Sequence, residues 1–470
     1  MRRTKIVATI GPASRDVEVM VRMIEAGMDV ARLNFSHATH EIHAETVALL
    51  REASNRAGRE VAILQDLPGP KLRIGKLEPG IVELKPGDIV TFSCANGDDE
   101  VGDHTRMSVS WAGLPSAIDP GEVLYLADGA VRLRARAVRI GEGEVDAEVE
   151  IGGSVASRQG LNIPGPADEL SAVPAEDFDH LRAGLAMGVD LVAISFVRTA
   201  ADVLAVREHT TVPLIAKIEK PQAVENCEEI IRTADCVMVA RGDLGIELPI
   251  EEVPIVQKRL LQTAGRFARP SITATQMLDS MVNASRPTRA EVADVANAIL
   301  DGSDAVMLSQ ETAIGAYPVE SIAMMAAVAR QAEKIAPFER WNDLRVKRDA
   351  RDPAYTIAHT AVEAASELGL DALVVPTLSG RSARLVSAHR PSVPIYALSP
   401  RDDTVRRCNL MWGVEAHSIR HHEITEELIA DSALRVLELG LCTRGQRVGI
   451  TAGLPSGQPG TTSLFQVQTV

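Results

Sequence analysis

The sequence has few cysteines, no excess of basic charge and no long apolar run. Its five cysteines form no Cys-x-x-Cys pair, which excludes a cysteine-rich zinc site and is typical of a reducing compartment. Lys and Arg number 49 against 64 Asp and Glu, and this net charge of −15 argues against a nucleic-acid groove. No stretch approaches the roughly 20 apolar residues of a membrane span, and no signal-peptide core follows the N-terminus. We therefore expect a cytoplasmic protein without a membrane or nucleic-acid partner.

What the chain does have is the length and composition of a multidomain globular protein. Its 470 residues predict about two to four domains at roughly 100–200 residues each. Hydrophobic residues make up 46% and charged residues 24%, both ordinary for a folded chain.

Strand and helix patterns alternate over most of the first 337 residues. The Val-, Ile- and Ala-rich strands lack clean alternation, which is typical of a parallel sheet buried on both faces. Eight are predicted, at 5–11, 29–36, 60–66, 190–197, 212–219, 235–243, 270–276 and 304–310. Eight βα units predict a TIM barrel, whereas the alternative, a doubly wound open sheet, seldom runs to eight regular units.

Two further domains are predicted from changes in pattern. Residues 68–166 are rich in Gly, Asp and Glu, alternate as short strands and are bounded by Pro-Gly-Pro at each end, so we expect an inserted small β-barrel that acts as a lid. Residues 350–470 predict a C-terminal α/β domain of about five strands. The barrel would then comprise 1–67 and 167–337.

Polar residues at the carboxyl ends of the predicted barrel strands are the candidates for chemistry. Arg32, Asn34 and Ser36 share one face of the second strand. Solvated strand ends would explain them without any function. Thr275 and Ser309 end the seventh and eighth strands, where hydroxyls could handle protons, although Ser and Thr there are more often helix caps.

The fifth and sixth strands carry the strongest candidates. Alternation places Lys217 and Glu219 on one face, and the chain has only nine lysines. A buried ion pair without function remains the alternative. Asp243 supplies a second carboxylate one strand away, and two carboxylates with open positions suit Mg²⁺. Gly242 lets an anion approach the backbone. These residues predict a metal-bound oxyacid and a lysine that neutralises developing charge.

Long motifs carry a resemblance to a known family. They are TKIVATIGPAS (4–14), ARLNFSH (31–37), GPKLRIG (69–75), AKIEKPQAVEN (216–226), VARGDLGIELP (239–249), ATQMLDSM (274–281), RPTRAEVADVANAILDGSDAVML (286–308) and SGRSARLV (379–386). On these motifs, which span nearly the whole chain in order, the sequence resembles pyruvate kinase. That family also has a barrel, an inserted lid and a C-terminal α/β domain.

The resemblance implies phosphoryl transfer from phosphoenolpyruvate to ADP, giving pyruvate and ATP in the final step of glycolysis. It implies Mg²⁺ or Mn²⁺ on Glu219 and Asp243, and Lys217 stabilising charge in the transition state. The other implied roles are phosphate contacts from Arg32 and Ser195, carboxylate contacts from Gly242, Asp243 and Thr275, protonation through Thr275 and Ser309, and nucleotide contacts from Arg73, His37 and Asn34.

The resemblance also implies an effector site, an oligomeric state and a site for a monovalent cation. A phosphorylated effector is expected at Thr377, Ser379, Gly380, Arg381 and Ser382 and at 453–461, in a homotetramer. A helix cap with a surface arginine is the plainer interpretation of that loop. The family's K⁺ site corresponds to Asn34, Ser36 and Asp66. Leu67 stands where the family commonly has a threonine ligand, and Lys71 stands where it commonly has a glutamate. We therefore expect the ammonium group of Lys71 to replace the ion. The alternative is that Lys71 points into solvent.

Three departures from the family pattern affect parts of this prediction. Ala38 stands where glycine is common, and Gln310 replaces a glycine beside the proposed proton relay. In the lid, Arg158-Gln159-Gly160 stands where the family's motif commonly carries a lysine. A Mg²⁺-enolate lyase or aldolase on a similar barrel is an alternative that would need neither lid nor Arg73. A phosphosugar sensor without catalysis is another, which intact Lys217, Glu219 and Asp243 argue against.

Overall fold

The structure is a computed structural model that describes residues 2–70, 72–94, 100–163, 171–336, 341, 352–453 and 462–470. Its strands, in chain order, are β1 Lys5–Thr9, β2 Val30–Asn34, β3 Ala62–Asp66, β4 Ile81–Leu84, β5 Ile89–Ser93, β6 Arg106–Ser108, β7 Val123–Leu126, β8 Val131–Arg139, β9 Glu144–Ile151, β10 Gly153–Ala156, β11 Leu161–Asn162, β12 Leu191–Ile194, β13 Leu214–Ile218, β14 Cys236–Ala240, β15 Ser271–Ala274, β16 Ala305–Leu308, β17 Ala372–Pro376, β18 Ile395–Ser399, β19 Val414–Ser418, β20 Arg447–Gly453 and β21 Thr462–Thr469.

The α-helices lie mostly between these strands. They are α1 Val17–Ala26, α2 His40–Ala57, α3 Leu114–Ala117, α4 Ala175–Met187, α5 Ala200–Arg207, α6 Pro221–Glu225, α7 Cys227–Thr233, α8 Arg241–Glu247, α9 Val253–Arg266, α10 Arg289–Leu300, α11 Gln310–Ala313, α12 Pro318–Ala332, α13 Pro353–Glu367, α14 Arg381–Ala388, α15 Asp402–Cys408 and α16 Thr425–Glu438. Short 3-10 helices add Ala127–Gly129, Ile140–Glu142, Asp279–Val282 and Glu333–Ile335. Among the residues described here, no helix is both long and apolar enough to cross a membrane.

Eight parallel strands close the predicted TIM barrel. Their order is β1-β16-β15-β14-β13-β12-β3-β2, so the chain makes a full turn and β1 pairs with both β2 and β16. Side chains of these strands, such as Val7, Leu64, Met238 and Ile272, fill the interior. Helices start where the sequence supplies caps: Asp16 accepts the Val19 N–H, and Thr288 forms a capping box with Glu291.

The insertion between β3 and β12 is built from strands. β11-β7-β8-β9-β5-β6 form a six-stranded sheet and β10-β4 a two-stranded one, so the described residues of the insertion are divided between two sheets rather than closing one ring. The 3-10 helix Ala127–Gly129 packs against α8 of the barrel, and Gly129 lies against Ile246. The inserted domain therefore contacts the barrel at the carboxyl ends of its strands.

The C-terminal domain has five strands in the order β19-β18-β17-β20-β21, of which only β21 is antiparallel. It packs against the N-terminal ends of the barrel strands. Leu410 from this domain joins the apolar cluster inside the barrel, and Lys5 donates from β1 to the carbonyl of Val414 at 2.6 Å.

Four buried or half-buried aspartates organise that N-terminal end of the barrel. Each aspartate directly precedes the second, fourth, sixth or eighth strand of the barrel. Its carboxylate accepts the backbone N–H of a residue at the start of the preceding barrel strand, at 2.8 to 2.9 Å. The pairs are Asp29 with Ile6, Asp190 with Ile63, Asp235 with Leu214, and Asp304 with Ser271. An arginine completes each site. For Asp190 and Asp304 that arginine includes one from the C-terminal domain, Arg406 and Arg390 respectively.

Candidate active site

Lys217 lies at the carboxyl end of β13, where three oxygen atoms surround its ammonium group. Nζ is 2.7 Å from Ser195 Oγ, 2.9 Å from Glu219 Oε1 and 3.4 Å from Asp66 Oδ1. Burial alone lowers the pKa of Lys217, but the two carboxylates outweigh burial and the net pKa is raised. The lysine is therefore a permanent cation at the catalytic end of the barrel, as the strand alternation predicts.

Glu219 is fully buried one residue after β13. Its Oε2 accepts the N–H of Phe196 at 2.8 Å, a residue held in the left-handed backbone region (φ 54°) just after β12. Burial raises the pKa of Glu219 to about 7; the positive charge of Lys217 opposes this, and the negative charge of Asp243 adds to it. Two carboxylates on neighbouring strand ends thus repel each other in a buried site.

Arg32 and Asp66 complete the charged cluster. Arg32 Nε donates to Asp66 Oδ2 at 2.6 Å, and its Nη1 donates to the hydroxyl of Thr9 at 3.0 Å. Burial raises the pKa of Asp66, but the charges of Lys217 and Arg32 outweigh it and the net pKa is lowered. Thr9, at the end of β1, is a contact that strand-end polarity did not single out, because threonine is common in strands.

The sixth and seventh strands place Gly242 beside Thr275. The N–H of Gly242, in the first turn of α8, donates to Thr275 Oγ1 at 2.7 Å, and this hydroxyl also donates to the Ala274 carbonyl. Thr275 has a φ of 71°, which threonine rarely adopts, and the next residue has one of 54°. Asp243 follows in the same turn. The structure therefore brings the three residues predicted to contact a substrate carboxylate to one place.

Ser309 lies at the end of the eighth strand, as predicted, and its backbone takes part in hydrogen bonding that stabilises the fold. Its N–H donates to Glu311 Oε2 at 2.7 Å, and the same buried carboxylate accepts the N–H of Leu278 at 3.1 Å. Burial raises the pKa of Glu311. Gln310 is exposed beside it. Glu311 thus joins the ends of the seventh and eighth strands.

The residues predicted to face the nucleotide are divided between the lid and the end of β2, where Asn34 is in register with Asp66. Arg73 is on the lid, where its Nη1 donates to the carbonyl of Arg158 at 3.2 Å. His37 is exposed after β2, and its carbonyl contacts the ring of His43 at 2.8 Å. Asn34 Oδ1 accepts the N–H of Ser36 at 3.1 Å.

The hinge that enters the lid is held by a residue that the sequence analysis missed. Asp177 in α4 is buried, and its Oδ2 accepts the N–H of Gly69 at 2.9 Å. Gly69 has a φ of 68°, and a Cβ there would come within 2.9 Å of Ser195, so only glycine fits. Lys71, together with 164–170 at the predicted exit from the lid, lies outside the described residues.

The predicted effector loop lies between β17 and α14. The N–H of Gly380 donates to Thr377 Oγ1 at 3.0 Å, and Gly380 itself adopts a φ of 81° at the start of α14. Ser382 shares a hydrogen bond with Thr462, and Arg381 pairs with Asp352. Ser379 is exposed. Residues 454–461 of the second predicted effector segment lie outside the described residues.

The carboxylates fit a small divalent cation. Glu219 Oε1 is buried and accepts no hydrogen bond of good geometry in the described structure. The ammonium group of Lys217 lies 2.9 Å from this oxygen. In that same part of the chain no group of three or more His, Cys, Asp or Glu residues is arranged for a metal ion. Two protein carboxylates, with water and substrate oxygens as the remaining ligands, are the donor set that Mg²⁺ takes in phosphoryl-transfer sites.

Comparisons with known proteins agree with this geometry. Residues 1–322 match the family model "Pyruvate kinase, barrel domain", and residues 355–468 match "Pyruvate kinase, alpha/beta domain". The chain belongs to the pyruvate kinase family. It is 42% identical over 475 aligned residues to a pyruvate kinase of Geobacillus stearothermophilus, covering all of this chain and 80% of the relative.

Other members of the pyruvate kinase family are similarly close. Those of Bacillus licheniformis and of Staphylococcus aureus (strain MRSA252) are 40% and 38% identical, and each alignment covers all of this chain and 81% of the relative. The predictions of a TIM barrel with an additional β-domain and a C-terminal α/β domain, and of a phosphotransferase of this family, are confirmed.

Proposed function

We propose that the chain transfers the phosphoryl group of phosphoenolpyruvate to ADP and releases pyruvate and ATP. The observation that carries this proposal is the buried ammonium of Lys217 within 3.4 Å of Ser195, Glu219 and Asp66. A fixed cation among oriented oxygen atoms suits a reaction in which negative charge moves between phosphoryl and enolate oxygens.

Glu219 and Asp243 are the residues that would hold Mg²⁺ or Mn²⁺. When bound, the cation would neutralise charge on the phosphoryl and enolate oxygens. The protein itself supplies the orientation: the Phe196 N–H fixes one oxygen of Glu219, and the short helix α8 fixes Asp243.

The cationic side chains would bind the phosphate. Arg32, which Asp66 and Thr9 orient, has a planar guanidinium suited to two parallel hydrogen bonds with phosphate oxygens. Lys217 would stabilise the charge that develops during transfer. Ser195, whose hydroxyl oxygen accepts a hydrogen bond from Lys217 at 2.7 Å, donates its hydroxyl hydrogen to the Leu67 carbonyl at 2.7 Å.

The Gly242–Thr275 contact would bind the substrate carboxylate and serve the proton step. A carboxylate oxygen would replace or share Thr275 Oγ1 as acceptor of the Gly242 N–H. Asp243 contributes through its backbone. The freed hydroxyl of Thr275, with Ser309, would then belong to the chain of groups that protonates the enolate carbon, with water as the final donor.

Arg73, His37 and Asn34 would contact the nucleotide. Because Arg73 is on the lid and His37 on the barrel, lid closure would bring both against ADP. Arg73→Ala should therefore raise the KM for ADP much more than the KM for phosphoenolpyruvate.

We propose that K⁺ is dispensable for this chain. Asp66, one of the residues matching the family's K⁺ ligands, already has Arg32 and Lys217 within 3.4 Å of its carboxylate, and Leu67 offers no side-chain oxygen. Lys71 would provide a further fixed charge. In a buffer whose only monovalent cation is tetraalkylammonium, adding KCl should change turnover little, whereas Lys71→Glu should lower basal turnover and create dependence on K⁺.

A phosphorylated effector, a homotetramer and a cytoplasmic location complete the proposal. The loop of Thr377 to Ser382 offers hydroxyls, an arginine and the start of α14, which together favour an anion. A screen of sugar phosphates and nucleoside monophosphates should yield an activator whose effect is lost in Ser382→Asp. The domain limits 1–67 with 167–337, 68–166 and 350–470 stay predictions, which limited proteolysis would test.

One coupled assay tests the central proposal. Pyruvate formation from phosphoenolpyruvate is measured with and without ADP and with and without Mg²⁺. Turnover should require both. If pyruvate forms equally fast without ADP, the chain is a phosphatase or lyase, and the kinase assignment is wrong.

A further inference from the structure

The two carboxylates assigned to the metal are each next to a member of a second, buried ion pair. Lys220 directly follows Glu219, and Glu247 lies one helical turn after Asp243 in α8. The Nζ of Lys220 donates to Glu247 Oε1, and the two side chains are only 14% and 1% exposed. A buried pair therefore joins the end of β13 to the end of α8.

This pair complements a contact at the other end of α8. Arg241, the first residue of the helix, donates to Asp294 at 2.7 Å and to the Thr275 carbonyl at 2.8 Å, which ties the start of α8 to the seventh strand end. Lys220 and Glu247 tie its last turn to the fifth. The helix that carries Asp243 is thus held from both sides.

Lys220 also contacts the residue that orients Glu219. Its ammonium lies 5.9 Å from the centroid of the Phe196 ring, within the range of a cation–π contact, and the Phe196 N–H is the donor to Glu219 Oε2. One side chain therefore touches the supports of both carboxylates. Such support is needed because two ionised carboxylates repel each other whenever no cation lies between them.

We propose that Lys220 and Glu247 are positioning residues that set the separation of Glu219 and Asp243 and so preorganise the divalent-cation site. This inference rests on the proposed function, since it takes Glu219 and Asp243 as the ligands. Neither Lys220 nor Glu247 is assigned a contact with substrate.

The test is Mn²⁺ binding to the substrate-free protein, followed by electron paramagnetic resonance. Lys220→Met and Glu247→Gln should each weaken binding about tenfold, the lower end of the loss typical for residues that orient metal ligands. A loss of Mn²⁺ affinity in both variants distinguishes positioning from a purely electrostatic effect. If the pair acted only through its charges, removing a cation would tighten Mn²⁺ binding and removing an anion would weaken it.

Three controls accompany these variants. Lys258→Met breaks another lysine–carboxylate pair between barrel elements, with Asp301, and should leave Mn²⁺ affinity within twofold. Lys220→Arg keeps a cation and should retain most of the affinity. Circular dichroism and the thermal midpoint report folding; should Lys220→Met fail to fold, Glu247→Gln, which keeps the shape of the side chain, decides the question.

Glu219→Gln separates this inference from the proposed metal site. If Glu219→Gln binds Mn²⁺ as well as the parent protein, the metal site itself is wrong. If Glu219→Gln loses binding while folded Glu247→Gln stays within twofold of the parent, or Lys220→Met binds more tightly, the metal site stands and the positioning role is overturned.

Discussion

Asp29 and Glu219, two buried carboxylates at opposite ends of the barrel, have pKa values shifted in opposite directions. At the N-terminal end, burial raises the pKa of Asp29, but Arg2, Lys5, the Ile6 N–H and Arg59 outweigh it and the net pKa is lowered. At the C-terminal end, burial raises the pKa of Glu219 to about 7 despite Lys217. The cationic partners of Asp29 outweigh its burial, whereas Lys217 does not outweigh the burial of Glu219, whose Oε1 has no hydrogen bond of good geometry in the described structure. A buried carboxylate whose cationic partners do not outweigh its burial, such as Glu219, is the kind that we expect to bind a divalent cation.

The largest expected effect is at the C-terminal end. Lys217→Met should lower kcat about 1000-fold or more, because it removes a fixed charge that acts mainly in the transition state. The variant should still fold, because methionine fills a similar volume, but with a lower thermal midpoint, because Glu219 and Asp66 lose a buried cationic partner. Steady-state kinetics with a thermal melt measures both. Near-normal turnover in a folded variant would show that this end does not work as proposed.

At the N-terminal end, a comparable change should affect stability and not catalysis. Asp304→Asn removes the carboxylate that faces the fully buried side chain of Arg390 at 3.0 Å. Breaking such a pair should cost about 3 kcal/mol in the free energy of unfolding, read as a lower urea midpoint. Glu45→Gln, in the exposed pair with Arg15, is the matched control and should shift the midpoint little. Equal shifts in the two variants would contradict the comparison.

The pH dependence of metal binding sharpens the difference further. Because the pKa of Glu219 is about 7, this carboxyl is mostly protonated at pH 6 and mostly ionised at pH 8. Protons compete with the cation, so Mn²⁺ affinity should fall roughly tenfold as pH drops from 8 to 6. The titration would show no such change in this window if Glu219 kept the pKa of an ordinary glutamate.

The smallest effect concerns the loop after β2. Ala38, where the family commonly has glycine, adopts a φ of 67°, a conformation that alanine disfavours. Ala38→Gly should therefore raise the free energy of unfolding by about 0.5–1 kcal/mol, after the greater freedom of glycine in the unfolded chain is subtracted. Ala53→Gly, inside α2, is the control and should lower stability instead. A loss of stability in Ala38→Gly would mean that the strain is absent.

Local pattern was sufficient for most of the fold. The eight predicted barrel strands differ from the observed ones by at most three residues at either end, because burial on both faces leaves a continuous apolar run. The meeting of Lys217 and Glu219 also followed from alternation in one strand. Such features depend only on neighbours in the chain.

The missed features depend on closure of the fold. No periodicity predicts that Arg390 reaches Asp304, or that Lys220 pairs with Glu247, since these contacts join elements far apart in the chain. The left-handed backbone of Thr275, whose hydroxyl accepts the Gly242 N–H from the neighbouring strand end, is likewise not a feature of any local pattern. An aspartate before every second barrel strand was visible in the sequence, and that repeat could have predicted the N-terminal network.

The insertion of Leu410 into the barrel interior has a consequence for how the protein is made. This side chain reaches the barrel from a domain that leaves the ribosome about a hundred residues after the last barrel strand. A barrel formed before the C-terminal domain docks would lack Leu410 in its interior, and Asp190 and Asp304 would each lack an arginine partner. A nascent or truncated chain that ends before Leu410 would expose apolar surface, which favours aggregation and chaperone binding.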